Sequence, residues 1–122
     1  VTKIRSFEEF EVWKASRAVV CAVYGLTRRE AFTQDFRLKD QIRKASISVM
    51  SNIAEGHESQ TENVLIRHLG IAQGSCGEVR SQLYVALDQQ YITEAEFTVL
   101  TDLCCKNARQ ISALIGYLKR SS

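Results

Sequence analysis

Glu55, His57, His68, Ser75, Cys76 and Glu78 are the residues of this chain whose types suit catalysis, and they crowd into its middle third. Glu55 and Glu78 offer a carboxylate pair for general acid–base work, and His57 and His68 offer bases that titrate near neutral pH. Ser75 and Cys76 offer nucleophiles, which need a neighbouring base and a strained turn to react. The spacing speaks against each use. There is no Glu-x-x-His iron-ligand motif, no His-Glu-x-x-His, and no glycine-rich phosphate loop following a strand. "GSCGE", Gly74 to Glu78, sits inside a helix-periodic run, where no nucleophile elbow forms. His57 reads as a turn residue and His68 as the flank of a helical seam. Cys21, Cys76, Cys104 and Cys105 show no Cys-x-x-Cys spacing, and the adjacent pair points roughly 100° apart on a helix, so free thiols are expected. No catalytic, cofactor or metal residue is assigned, and the chain is expected not to be an enzyme.

The elements that position these residues follow from composition and periodicity. A length of 122 residues bounds one domain, 1–122, with enough surface to bury a real core. At 45% hydrophobic and 25% charged, without proline, the chain reads as globular and favours uninterrupted helices. No window approaches 18 consecutive apolar residues, and "VTKIRSFEEF" lacks a signal-peptide core, so no membrane association and a cytoplasmic location are expected. Residues 1–45 carry ten Lys/Arg against six Asp/Glu and the remainder six against eight, a mild basic bias within a net +2.

Four apolar-periodic segments and no alternating strand pattern predict an all-α, antiparallel up-down-up-down four-helix bundle. The first helix, about residues 7–26, carries Val12, Ser16, Val19, Val23 and Leu26 on one face, with Trp13, Val20 and Tyr24 as a second stripe. The connection 27–36 leaves Phe32 and Phe36 as anchors on the core. The second helix, about 37–55, steps through Leu38, Ile42, Ala45, Val49 and Asn52, and Gly56 is expected to end it as a left-handed cap. The third, about 61–88, carries Leu65, Leu69, Ala72, Cys76, Val79, Leu83 and Ala86 in a heptad-like seam. Thr93-x-x-Glu96 is a capping box opening the fourth, whose core face is Phe97, Leu100, Cys104, Ile111, Leu114 and Leu118.

Two further stripes exceed what a lone bundle needs. Gly70, Gly74, Gly77 and Ser81 recur at helical steps on the third helix. Interior glycine costs about 0.5–1 kcal/mol relative to alanine, so close helix packing, within the chain or between subunits, is expected to offset it. Gln41, Ala45, Ser48, Asn52 and Glu55 form a small, polar stripe on the second helix. Antiparallel pairing puts Asn52 near residues 64–67, which makes Arg67 a partner for Asn52 or Glu55, and Glu78 a partner for Arg43. Gln41, Ser48, Asn52, Glu55, Arg67 and Glu78 are therefore the expected polar seam, with Asn52 as a register device. Arg28, Arg29, Arg37, Lys39, Arg43 and Lys44 are candidate nucleic-acid contacts, interleaved with Glu30, Asp35 and Asp40.

In this order, "FEEFEVWKASRAVVCAVYGLT", "QIRKASISVMSNIAEG" and "HLGIAQGSCGEVRSQL" resemble the bacterial four-helix-bundle family named after 23S rRNA intervening sequences, also labelled S23 ribosomal proteins. The likeness covers nearly the whole chain and is most specific around Ser51 to Gly56, Gly74, Ser75 and Glu78. It implies a ring-like homopentamer without established enzymatic activity. A more distant, more basic relative, the accessory protein of diversity-generating retroelements, binds nucleic acid and reverse transcriptase. Met50 and Thr33 stand where the family commonly has proline, the second in a loop, and the first implies a straighter second helix here. The expected function is a non-enzymatic, self-associating scaffold; the alternative is an RNA- or DNA-binding accessory protein acting as an oligomer. No small-molecule substrate is expected.

Overall fold

Apolar side chains stepping by three and four residues give each segment one sticky face, and closing those faces on one another builds the fold. The structure, a computed structural model, describes residues 6–121. Residues 1–5, part of the stretch read above for a signal peptide, and residue 122 lie outside the described residues. A 3-10 turn, Phe7–Glu9, leads into α1 (Glu11–Thr27) and a short α2 (Glu30–Thr33). The long helices α3 (Phe36–Glu58), α4 (Glu62–Asp88) and α5 (Glu94–Ser121) follow. The main helices α1, α3, α4 and α5 are the four expected, each packed on the next, with α5 returning to α1. No described helix is long and apolar enough to cross a membrane.

The core is divided by height. One cluster, with Val23, Phe32, Ile42, Leu83 and Leu100, fills the end where α1 stops and α3 starts. The other, with Val12, Ile53, Leu69, Ile111 and Leu118, fills the opposite end. Between them along their helices lie Ser16, Ser46 and Asn107, all fully buried. Buried polar groups need partners. The Ser16 and Ser46 hydroxyls donate to the carbonyls of Trp13 (2.6 Å) and Arg43 (2.9 Å), and Asn107 Nδ2 donates across to Val12 O on α1 at 3.1 Å.

The ends of α3 differ from expectation. Asp35 caps the helix, its Oδ1 accepting the Leu38 N–H at 3.1 Å and its Oδ2 the Tyr91 hydroxyl at 2.9 Å. That cap makes Phe36 the first helical residue and gives the inward step to Leu38, so Phe36 is 77% exposed instead of anchored on the core. Phe32 alone fills that role, fully buried and tilted against Tyr91. At the other end α3 runs through Gly56 to Glu58, and the positive φ of the turn belongs to Gln60, at 64°. Gly56 is therefore no left-handed cap. A Cβ on it would meet His68 Cβ at 2.9 Å and Leu65 Cα at 3.2 Å, so glycine is required by the approach of α4.

The capping box forms as expected: Glu96 N–H donates to Thr93 Oγ1 at 3.1 Å and Thr93 N–H to Glu96 Oε1 at 2.9 Å. Arg29 adds a two-pronged ion pair from the end of α1 to the same carboxylate. The Arg29 guanidinium, aided by the Thr93 N–H, pulls the Glu96 carboxyl down from 4.5 to about 2. Because the folded value lies below the ordinary one, this tie stabilises fully above pH 4.5 and fades as pH falls towards 2. Thr93→Ala should cost about 1 kcal/mol. Glu96→Gln should lower Tm at neutral pH, with the gap from wild type closing between pH 4.5 and 2; a gap constant across that window would refute the tie.

Candidate functional site

Four polar side chains join α3 to α4 where their small residues let the backbones approach. Asn52 Nδ2 donates to Ser48 O at 2.9 Å and to Ser48 Oγ at 3.1 Å. That orientation turns Asn52 Oδ1 towards His68, whose Nδ1–H donates to it at 2.8 Å. Ser48 Oγ in turn bonds Ser75 Oγ at 2.9 Å. The chain His68–Asn52–Ser48–Ser75 thus crosses the interface twice, half-shielded from water. Glu55, 70% exposed, reaches only to 4.0 Å from His68 Nδ1. Chemically this is a lock: no described hydroxyl or thiol is bonded to an imidazole, so no nucleophile–base pair is assembled.

Asn52 and Ser48 therefore occupy the seam as expected, and the other members do not. Asn52 meets His68 rather than residues 64–67, because α3 continues three residues beyond Glu55 and the turn shifts later. Arg67 is exposed and pairs with neither Asn52 nor Glu55, and Glu78 is exposed and apart from Arg43. Gln41 borders a shallow cleft with Gln82 and Val85. His68 and Ser75 were missed as lock members, although Ser75 is adjacent to the heptad position of Cys76. Asn107 was missed too, although Cys104, Asn107 and Ile111 step by three and four along α5.

Of the two places expected for the glycine stripe's contact, within the chain or between subunits, the first is not found. Beyond their chain neighbours and the backbone of their own helix, Gly70, Gly74 and Gly77 have no heavy atom within 4 Å of where a Cβ would stand, and with Ser81 they are exposed. At 100° per residue they lie on the side of α4 opposite Ala72, Val79 and Leu83. The close intrachain contact is made by Gly56 instead.

The six candidate cations do not form one free patch. Arg29 is held by Glu96, Lys44 lies 3.9 Å from Asp40, and Arg43 donates to Thr27 Oγ1 at 2.8 Å while its guanidinium covers the Tyr24 ring at 4.1 Å. Arg28, Arg37 and Lys39 have no ion pair among the described residues. The four cysteines are free. Burial pushes the Cys76 thiol up to about 11 and the Cys104 thiol to about 12, so both stay protonated and unreactive at neutral pH. No group of three His, Cys, Asp or Glu among the described residues is arranged to hold a metal ion.

If the lock sets the α3–α4 register, Asn52→Leu should leave helix content intact, unpair His68 and broaden thermal unfolding or the distribution of assembly states. Gly56→Ala should destabilise by about 1–3 kcal/mol despite its better helix propensity, because the added methyl meets backbone and Cβ atoms. A Gly56→Ala protein as stable as wild type would disprove the close approach.

Residues 8–113 match the family model described as 23S rRNA-intervening sequence protein. The fold is similar to a crystal structure of a protein of unknown function from the S23 ribosomal protein family of Bacteroides thetaiotaomicron, with a TM-score of 0.78 and 20% identity. That similarity covers 85% of this chain and 97% of the other. No curated protein matches the chain. With Ser51 to Gly56, Gly74 and Ser75 inside the matched span, the chain belongs to the 23S rRNA-intervening sequence protein family.

Proposed function

We propose that this chain is a non-enzymatic, self-associating helical scaffold whose copies assemble into a ring-like homo-oligomer, the pentamer being the size implied by the family resemblance. The observation that carries the reading is the outward face of α4. Gly70, Gly74 and Gly77 interrupt a 27-residue helix at a cost of about 0.5–1 kcal/mol each, and no residue of their own chain approaches them. A helix of a second copy lying in this shallow trough gains the backbone proximity that offsets the cost. Ile71 and Val85, 47% and 43% exposed, flank the trough and add apolar area to such a contact.

Light scattering at micromolar concentration should give a mass several times that of the 13.8 kDa chain. Gly74→Leu together with Gly77→Leu, which fill the trough without touching the subunit core, should reduce that mass while leaving the circular dichroism spectrum helical. A clean wild-type monomer would sink the proposal.

A second reading, nucleic-acid binding, is favoured by the absence of ion pairs at Arg28, Arg37 and Lys39 among the described residues. An oligomer repeats such a weak patch and multiplies its affinity. Structured RNA should then shift in a gel at low salt and be released at higher salt, and Arg37→Ala should weaken the shift. No shift at low salt removes this reading.

A further inference from the structure

Two apolar features lie at the same end of the bundle and on different sides of it. The first is Phe36, 77% exposed at the first position of α3. The second is a groove of about 390 Å³ between the last turns of α1 and the first turns of α5, lined by Ala22, Gly25, Leu26, Ala95, Val99 and Leu100. Val99 is 62% exposed on its lip, and the Arg29–Glu96 ion pair borders it. We infer that Phe36 of one copy seats in the α1–α5 groove of the next, joining copies head to tail. This rests on the self-association proposed above, and it names a contact distinct from the α4 trough.

Three observations select a second copy as the occupant. The height matches: α1 ends, α3 begins and α5 begins at one level, so a rotation about an axis parallel to the bundle brings knob to groove without sliding along the helices. The charges are complementary: Phe36 is followed by Arg37, and the groove begins beside Glu94. Neither has an ion pair among the described residues, whereas nearby Asp40 already lies against Lys44. The lining suits an aromatic side chain as well, since Ala22, Gly25 and Ala95 carry one methyl or none and leave room for an anchor of the kind that fills interface pockets. Knob and groove are unlike patches, so the contact is heterologous. Contacts of that kind close into rings when the rotation closes and otherwise run into filaments, whereas one self-complementary patch gives only a two-fold dimer.

The test is the mass of the full chain by light scattering, with circular dichroism confirming that each variant folds. Phe36→Asp and Val99→Asp, both at exposed positions, should each weaken association by roughly thirtyfold or more, the scale of an interface anchor. Arg37→Glu should weaken it, and Glu94→Arg should restore it in the double variant. In a Cys21→Ser, Cys105→Ser background, Phe36→Cys with Val99→Cys should oxidise to a ladder extending beyond the dimer, and either cysteine alone should not. A wild-type monomer overturns the scaffold proposal and this inference together. A wild-type oligomer whose mass is untouched by Phe36→Asp and Val99→Asp overturns this inference alone. Loss of the RNA shift in Phe36→Asp with mass unchanged would identify Phe36 as a base-stacking platform and likewise overturn it.

Discussion

The contact on which the rest of this molecule depends is the close approach of α3 and α4 at Gly56. Only a residue without a Cβ fits against His68 Cβ and Leu65 Cα there. That distance of approach sets how far along α4 each later turn of α3 falls. With Gly56 fixed against the turn of Leu65 to His68, Asn52 lies opposite His68 and Ser48 opposite Ser75, close enough for the hydrogen bonds that join them. A slide by one turn would leave four buried or half-buried polar side chains without partners, and each unsatisfied group costs more than the bond it forms contributes. The packing thus chooses the register, and the polar chain penalises every other one.

The same logic operates across the bundle through a single side chain. Asn107 is fully buried between the two apolar clusters and reaches from α5 to the Val12 carbonyl, at the start of α1. An apolar residue would fill the space as well, but it would not distinguish one level of α1 from the next. The far end is tied differently. Arg29 and Glu96 join the α1–α2 connection to α5, and Tyr91 and Asp35 join the α4–α5 turn to the cap of α3. Helices that are apolar along one face and small along another need such directional contacts, because apolar contact alone is tolerant of sliding.

The four main helices were legible because their apolar steps are regular, and the capping box at Thr93 was legible because it is a local pattern whose partners lie three residues apart. Asn52 was placed correctly on the seam by the same steps. What misled was glycine, whose meaning depends on the neighbour. Gly56 looks like a helix end from its local sequence, whereas its role is set by α4 residues met only after the chain turns back. The α4 glycines signal a close contact inside the chain or between subunits, and within the chain they face open space. Phe36 misled because one capping residue, Asp35, decides whether it points inward or outward. His68 escaped notice because the predicted turn was placed too early, which displaced its partner by a turn.

These corrections also bear on what partners the surface can select. Of the six basic residues that seemed to mark a nucleic-acid face, Arg29 is neutralised by Glu96, and Arg43 is enclosed by Thr27 and the Tyr24 ring, so both hold helices together at the α1–α3–α5 end. A guanidinium that must leave such a contact to meet phosphate gives up bonds it already has, which lowers the net gain of binding. The uncovered apolar groups carry no such penalty. Phe36 and Val99 have nothing to release except water, and the α4 trough has no side chain to move aside. Three of the six candidate cations are thus held in contacts within the chain, whereas Phe36, Val99 and the α4 glycines are left uncovered by it.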